Sequence, residues 1–240
     1  MMKRLVMLLV IALLSVGVIC AVSAENAKLY TTGNVLAAGN YNNSATSSDL
    51  TLIIKLTAGD KVLVDEGATV SYILPDTNID GWTTKDFNDS AWKVGISGVG
   101  YADNDDNTTI TGPVPSIYTR YHFDAPNASS VKEVTFLIDY DDFYILWLNG
   151  VEVARYDPIK DIAPGGVPGF DEVTKKGVTD HESSDTAAGK PNAARWDKPQ
   201  GAAAGQIAKH VVAVDLGAVV SAVNAKAKLA TTWGDIKAVR

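Results

Sequence analysis

The spacing of hydrophobic residues changes character along the chain. Residues 5–22 form a nearly unbroken apolar run, and residues 25–60 are instead rich in Ala, Asn, Ser, Thr and Gly. Within that second stretch, Leu52-Ile53-Ile54-Lys55-Leu56 predicts a strand, whereas Gly39-Asn40-Tyr41-Asn42-Asn43-Ser44 reads as a loop. The β signal is clearest from residue 61 to 157. Val134 to Tyr140 and Phe143 to Leu148 predict strands, and Asn149-Gly150 separates the second of them from Val151-Glu152-Val153-Ala154-Arg155. Asn-Gly between two apolar, β-rich runs predicts a hairpin, because a type I′ turn needs φ > 0 at both central positions. Phe143 to Leu148 is apolar at every position, which predicts a central strand covered on both faces. A two-layer sandwich is the architecture that provides such cover.

Residues 158–206 then turn to Pro, Gly, Ala, Lys and Asp, as in Ala163-Pro164-Gly165-Gly166-Val167-Pro168-Gly169. This is too long for an ordinary connection and predicts an excursion. Ile207 to Leu216 predicts a closing strand. Ala218 to Lys228 has helical composition, and Leu229 to Arg240 reads as a short tail helix or disorder. No solenoid-type repeat is present.

The apolar run near the start changes the picture most. It follows the basic Met1-Met2-Lys3-Arg4 and ends in Val22-Ser23-Ala24, a small-x-small cleavage pattern. The expectation is a cleavable secretory signal over residues 1–24 and no membrane span once it is removed. The rival readings are a retained anchor, since the run approaches the ~20 residues that span a bilayer, and lipidation at Cys20, which the bulky Val18 and Ile19 oppose. The lone cysteine lies inside the signal, so a disulfide framework and thiol chemistry are excluded after cleavage. The formal net charge is −7 with no basic patch, which makes nucleic acid a poor partner. The expected location is secreted or extracytoplasmic, in a periplasm or at a cell surface.

Residues 66–155 carry a recognisable order of motifs. Gly81-Trp82 leads to Asp86-Phe87-Asn88-Asp89-Ser90-Ala91-Trp92, then to Gly98-Val99-Gly100-Tyr101-Ala102-Asp103. Tyr118-Thr119-Arg120-Tyr121-His122-Phe123 follows, and Asp139-Tyr140-Asp141-Asp142-Phe143 runs into Leu148-Asn149-Gly150-Val151-Glu152-Val153-Ala154-Arg155. This order resembles the galactose-binding-like jelly-roll module of secreted bacterial proteins, and it is similar to the sugar-binding domain accompanying glycoside hydrolases. The resemblance implies an all-β fold, a jelly-roll β-sandwich with a long irregular loop and a short C-terminal helical tail. The implied organisation is a signal at 1–24, an N-terminal strand and loop extension at 25–60, the sandwich at 61–216 with its excursion at 158–206, and a tail at 217–240. Such folds host sugar binding, adhesion and spacer roles alike.

Trp82, Phe87 and Trp92 are expected to plug one end of the sandwich or to stack on a sugar ring. Asp139, Asp141 and Asp142 are expected to cap a strand junction, with Arg120 paired to one of them or reading a ligand. On the sugar-binding reading, the candidate ligand residues are Tyr101, Arg120, Tyr140, Tyr144, Asp141, Asp142, Asn149 and Arg155. In Asp103-Asn104-Asp105-Asp106-Asn107, oxygen donors at alternating positions suit a hard cation, so calcium on Asp103, Asp105 and Asn107 is weighed against a solvated acidic loop. The loop is not an EF-hand, since Thr108 and Val114 stand where Gly and Glu are required. His122, His181 and His210 are widely spaced and form no zinc motif. Neither a nucleophile elbow nor a Walker loop occurs, and no pair of converging carboxylates is evident.

The functional expectation is a secreted, non-catalytic carbohydrate-binding module, calcium-assisted if the acidic loop binds metal, whose partner is a polysaccharide or cell-surface glycan. The alternative is a structural or adhesive cell-envelope sandwich without a small-molecule ligand. An enzyme, such as a metal-assisted hydrolase, receives little support.

Overall fold

A computed structural model describes residues 27–102, 104–156, 162–173, 191–201 and 205–217. The signal segment, Asp103, much of the excursion and the C-terminal tail lie outside the described residues. The strands in chain order are β1 (Lys28–Leu29), β2 (Asn34–Tyr41), β3 (Thr51–Ala58), β4 (Lys61–Val64), β5 (Thr69–Ile73), β6 (Lys93–Ile96) and β7 (Val99–Gly100). They continue with β8 (Thr108–Thr109), β9 (Ser116–Phe123), β10 (Glu133–Asp141), β11 (Phe143–Leu148), β12 (Val151–Tyr156), β13 (Ala208–Ala213) and β14 (Asp215–Leu216). The fold is all-β. One sheet has the order β13-β10-β3-β4 and the other β12-β11-β2-β9-β5-β6, with small parallel pairs β1-β14 and β7-β8 beside them. Pairing within both large sheets is antiparallel.

Alternation of side chains along the strands separates two apolar clusters. Leu36, Ala38, Ile117, Tyr121, Tyr144, Leu146 and Leu148 of the larger sheet meet Leu52, Ile54, Leu56, Val134, Phe136, Ile138 and Tyr140 of the smaller one. This is the core between the sheets. The residues that alternate with them, Ala37, Tyr41, Tyr118, Phe143, Ile145 and Trp147, face outward from the larger sheet and are covered by Trp82 and Trp92. Each fully buried large apolar side chain contributes roughly 1.5–3 kcal/mol relative to an exposed one.

Strand β11 lies between β12 and β2, buried at every position, as its unbroken apolar run predicts. The turn into β12 has Asn149 at φ 52° and Gly150 at φ 92°, the two positive values of the expected hairpin. Gly39 to Tyr41 corrects the loop reading of that stretch. It belongs to β2, which is buried along its whole length between β11 and β9. Its small residues leave room for large neighbours, and a Cβ on Gly39 would come within 2.7 Å of the Tyr41 ring.

Candidate functional site

The outward face of the larger sheet is built around Arg120 of β9. The loop over residues 74–92 crosses this face, and Arg120 fastens it. Its Nε donates to Asp89 Oδ2 at 3.0 Å, Nη1 donates to the carbonyls of Trp82 and of Thr84 (3.0 Å for the latter), and Nη2 donates to Phe87 O at 3.3 Å. The guanidinium also lies 5.3 Å from the Phe87 ring centre. Burial lowers the Arg120 pKa, and Asp89 partly offsets that. Asp89 Oδ2 is also 2.7 Å from His122 Nε2. Burial pushes the Asp89 carboxyl up, but the bonds to His122 and Arg120 outweigh it and hold the group below its usual range. The expected pairing of Arg120 with Asp139, Asp141 or Asp142 is therefore corrected to Asp89. Arg120 alternates outward from the larger sheet, while Asp139 alternates outward from the smaller one.

The fastened loop presses Trp82 flat against Tyr118, with ring centres 4.1 Å apart and planes within 6°, and sets it edge-on to Trp147 at 5.2 Å. Tyr41 and Phe143 stack beneath at 4.8 Å, and Phe87 meets Trp92 at 5.7 Å. The tryptophans thus plug a sheet face rather than a sandwich end. Residues 162–173 of the excursion return to the same face. Phe170 packs against the aromatic cluster, its N–H donates to Asn78 Oδ1 at 2.9 Å, and its carbonyl accepts from Ser116 Oγ at 2.6 Å.

Between the two segments lies an open cavity of about 230 Å³. Asn78, Asp80 and Thr83 bring polar groups to its wall, and Ile79, Trp82, Tyr118 and Pro168 supply apolar surface. Burial pushes the Tyr118 phenol up to about 12, so it stays neutral at ordinary pH. A smaller cavity of about 130 Å³, lined by Ala58, Leu63, Ala125 and Val131 among others, has no aromatic wall.

The outward face of the smaller sheet holds a second buried arginine. Residues 191–201 lie over it, and the 3-10 turn Ala193–Asp197, begun by Asn192 accepting from Ala194 N at 3.1 Å, aims Arg195 inward. Its guanidinium forks onto Glu66 at 2.9 and 3.3 Å and donates through Nη1 to Asp105 at 3.1 Å and to Asp139. Burial works against the charge, but Glu66, Asp139 and Asp105 more than offset it and hold the Arg195 pKa above its usual value.

The sequence-predicted residues occupy structural positions. Tyr101 is buried, accepts from Asn42 Nδ2 at 2.9 Å and donates to Ser47 O at 3.1 Å. Tyr140 is buried edge-on to Tyr144 at 4.6 Å. Asp141 is buried beside Asp142, which accepts from Asn43 N and Nδ2 at 2.6 and 3.1 Å. Asn149 accepts from Val35 N at 2.8 Å and donates to Lys28 O at 2.7 Å, which locks the hairpin onto β2. Arg155 forks onto Glu152 at 2.6 and 2.8 Å and reaches Ile162 O at 3.0 Å. None of these residues lines the larger cavity.

Of the expected calcium ligands, Asp103 lies outside the described residues. Asp105 engages Arg195, and Asn107 donates its amide to Ser97 O at 2.7 Å and to Glu66 Oε1 at 3.3 Å. Among the described residues, no group of three or more His, Cys, Asp or Glu is placed to hold a metal. His210 Nε2 lies 2.6 Å from the Tyr144 hydroxyl, and burial lowers its pKa to about 4. His181 lies outside the described residues.

The cavity residues were not singled out from the sequence. The available signal was Asn78-Ile79-Asp80 immediately before Gly81-Trp82, together with the Pro/Gly run at 163–169. Among the described residues, no helix is long and apolar enough to cross a membrane. Compared with known proteins, the chain matches no protein-family model, no curated protein and no solved structure.

Proposed function

We propose that this protein is a non-catalytic carbohydrate-binding module that works outside the cytoplasm, on a jelly-roll sandwich of the galactose-binding-like kind. The observation that carries the reading is the cavity beside the Trp82–Tyr118 stack, with Asn78, Asp80 and Thr83 at its wall. The buried Trp82 and Tyr118 rings close the inner end of the cavity, and the exposed Asn78 amide and Asp80 carboxylate at its mouth match the hydroxyls of a sugar. The volume falls below the ~300–1,000 Å³ of sites for drug-sized ligands, so the ligand portion it takes is a single ring or the end of a glycan. The export reading rests on residues 1–24. Calcium assistance rests on the acidic sequence of residues 103–107 alone, since Asp105 and Asn107 bond to Arg195, Ser97 and Glu66.

A glycan array probed with the purified protein, with calcium and again with a chelator, tests this reading. Binding to one glycan class that falls about tenfold or more in Asn78→Ala supports it, in line with a lost hydrogen bond to a bound polar group. Loss of binding on chelation supports the calcium contribution, and unchanged binding removes it. A second reading, a structural or adhesive envelope protein, is favoured by the burial and internal bonding of Tyr140, Asp141, Asp142, Asn149 and Arg120. Failure of the folded protein to bind any glycan would select it.

A further inference from the structure

The charge around the cavity suggests which sugars it accepts, given the carbohydrate reading on which this step rests. Asp80 lines the wall, and none of the lining residues is Lys, Arg or His. Asp171 flanks the opposite wall: its Oδ1 lies 3.4 Å from where a Cβ on Gly169 would stand, and its charge helps raise the Tyr118 phenol. Among the described residues, the neighbouring cations are committed elsewhere. Arg120 is fully buried on Asp89 and backbone carbonyls, and Lys85 pairs with Asp86 at 3.1 Å. Asn78 spends its carbonyl on Phe170 N, so the amide presents its donor end, and Asp80 offers acceptors. Hydroxyls match that set, because each can donate or accept.

We infer that the cavity selects saccharides without a carboxylate, sulfate or phosphate, and that Asp80 and Asp171 are its specificity-determining residues. An anionic substituent entering it leaves water to face two carboxylates with no cation at the wall among the described residues, which is unfavourable on both counts. Asp80 is exposed, so its field weakens with salt.

The test is a direct titration of the purified protein with matched oligosaccharides, neutral, uronate-containing and sulfated, at low and high salt. The neutral member is expected to bind at least about fivefold more tightly than its anionic counterparts at low salt. The gap should narrow in about 0.5 M salt, roughly three times physiological ionic strength, and in the Asp80→Asn/Asp171→Asn variant. Equal or tighter binding of the uronate or sulfated member, in a protein that binds sugars, would overturn the selectivity while leaving carbohydrate binding intact. Absence of binding to every member would overturn the carbohydrate reading and this inference with it.

Discussion

The two sheets cover their outward faces in the same way but with different chemistry. Each face is crossed by an irregular segment held by one fully buried arginine, Arg120 on the larger sheet and Arg195 on the smaller. Arg120 spends its donors mainly on the carbonyls of Trp82, Thr84 and Phe87, with Asp89 as its one carboxylate. Arg195 faces Glu66, Asp105 and Asp139. The first arrangement shapes a loop around neutral acceptors, and a cavity opens beside that loop. The second counters buried acidic groups beneath residues 191–201. One arginine therefore organises a surface, and the other secures the scaffold.

The largest effect should come from Arg195→Met. It strands three carboxylates without their cation, and breaking a buried pair from one side costs about 3–5 kcal/mol. Urea unfolding should show that loss. The penalty should also shrink as pH falls. A stranded carboxylate has a raised folded-state pKa, so the folded state then takes up protons more readily than the unfolded chain, and acid favours it. A variant as stable as the parent would break the comparison.

Arg120→Met should cost less, about 2–3 kcal/mol, because it leaves mostly neutral carbonyls without donors. Its distinguishing result is loss of glycan binding in a protein that remains folded, since the loop carrying Gly81, Trp82 and Thr83 loses its anchor. Equal binding by parent and variant would separate the cavity from Arg120.

The core between the two faces has its own pH signature. The folded-state pKa of His210 is lowered from 6.5 to about 4 by burial, so between those values the unfolded chain holds a proton that the folded chain does not. Stability is full above about pH 6.5 and declines as pH falls toward 4, by about 1–2 kcal/mol once partial exposure is discounted. His210→Gln should flatten that decline in pH-dependent unfolding. Asp89→Asn should cost about 1–2 kcal/mol, because the amide keeps an acceptor for Arg120 but removes the charge partner of a fully buried cation. Because the Asp89 pKa is lowered, its contribution is present above the unfolded value and lost as pH falls below 3.8, so the variant should differ from the parent at neutral pH and converge with it in strong acid.

What the sequence disclosed follows from local chemistry. The all-apolar run of β11 and the Asn149-Gly150 turn announced a buried central strand and its hairpin, because both signals depend on adjacent residues. Strand β2 stayed hidden. Its Ala, Gly and Asn look loop-like, and only its pairing with β11 and β9, strands distant in the chain, makes it a buried central strand. The candidate site was hidden for the same reason. Asn78, Asp80 and Pro168 are brought together by Arg120 and Phe170, partners distant in the chain, and no local spacing records that meeting. Asp139 reads as a cap of a strand junction and Glu66 as an ordinary acidic residue until Arg195, far downstream, is placed between them.

The central claim is that the cavity beside Trp82 and Tyr118 binds sugar. Its most direct test is a neutral-oligosaccharide titration followed by NMR, observing the Trp82 indole N–H, the Asn78 side-chain amide and the backbone amides of residues 78–83 and 167–169. The expected result is saturable shifts confined to those signals, with the Trp147 indole and the residues around Arg195 unmoved. Saturable shifts centred elsewhere, or none at concentrations where a glycan array reports binding, would contradict the assignment of the site.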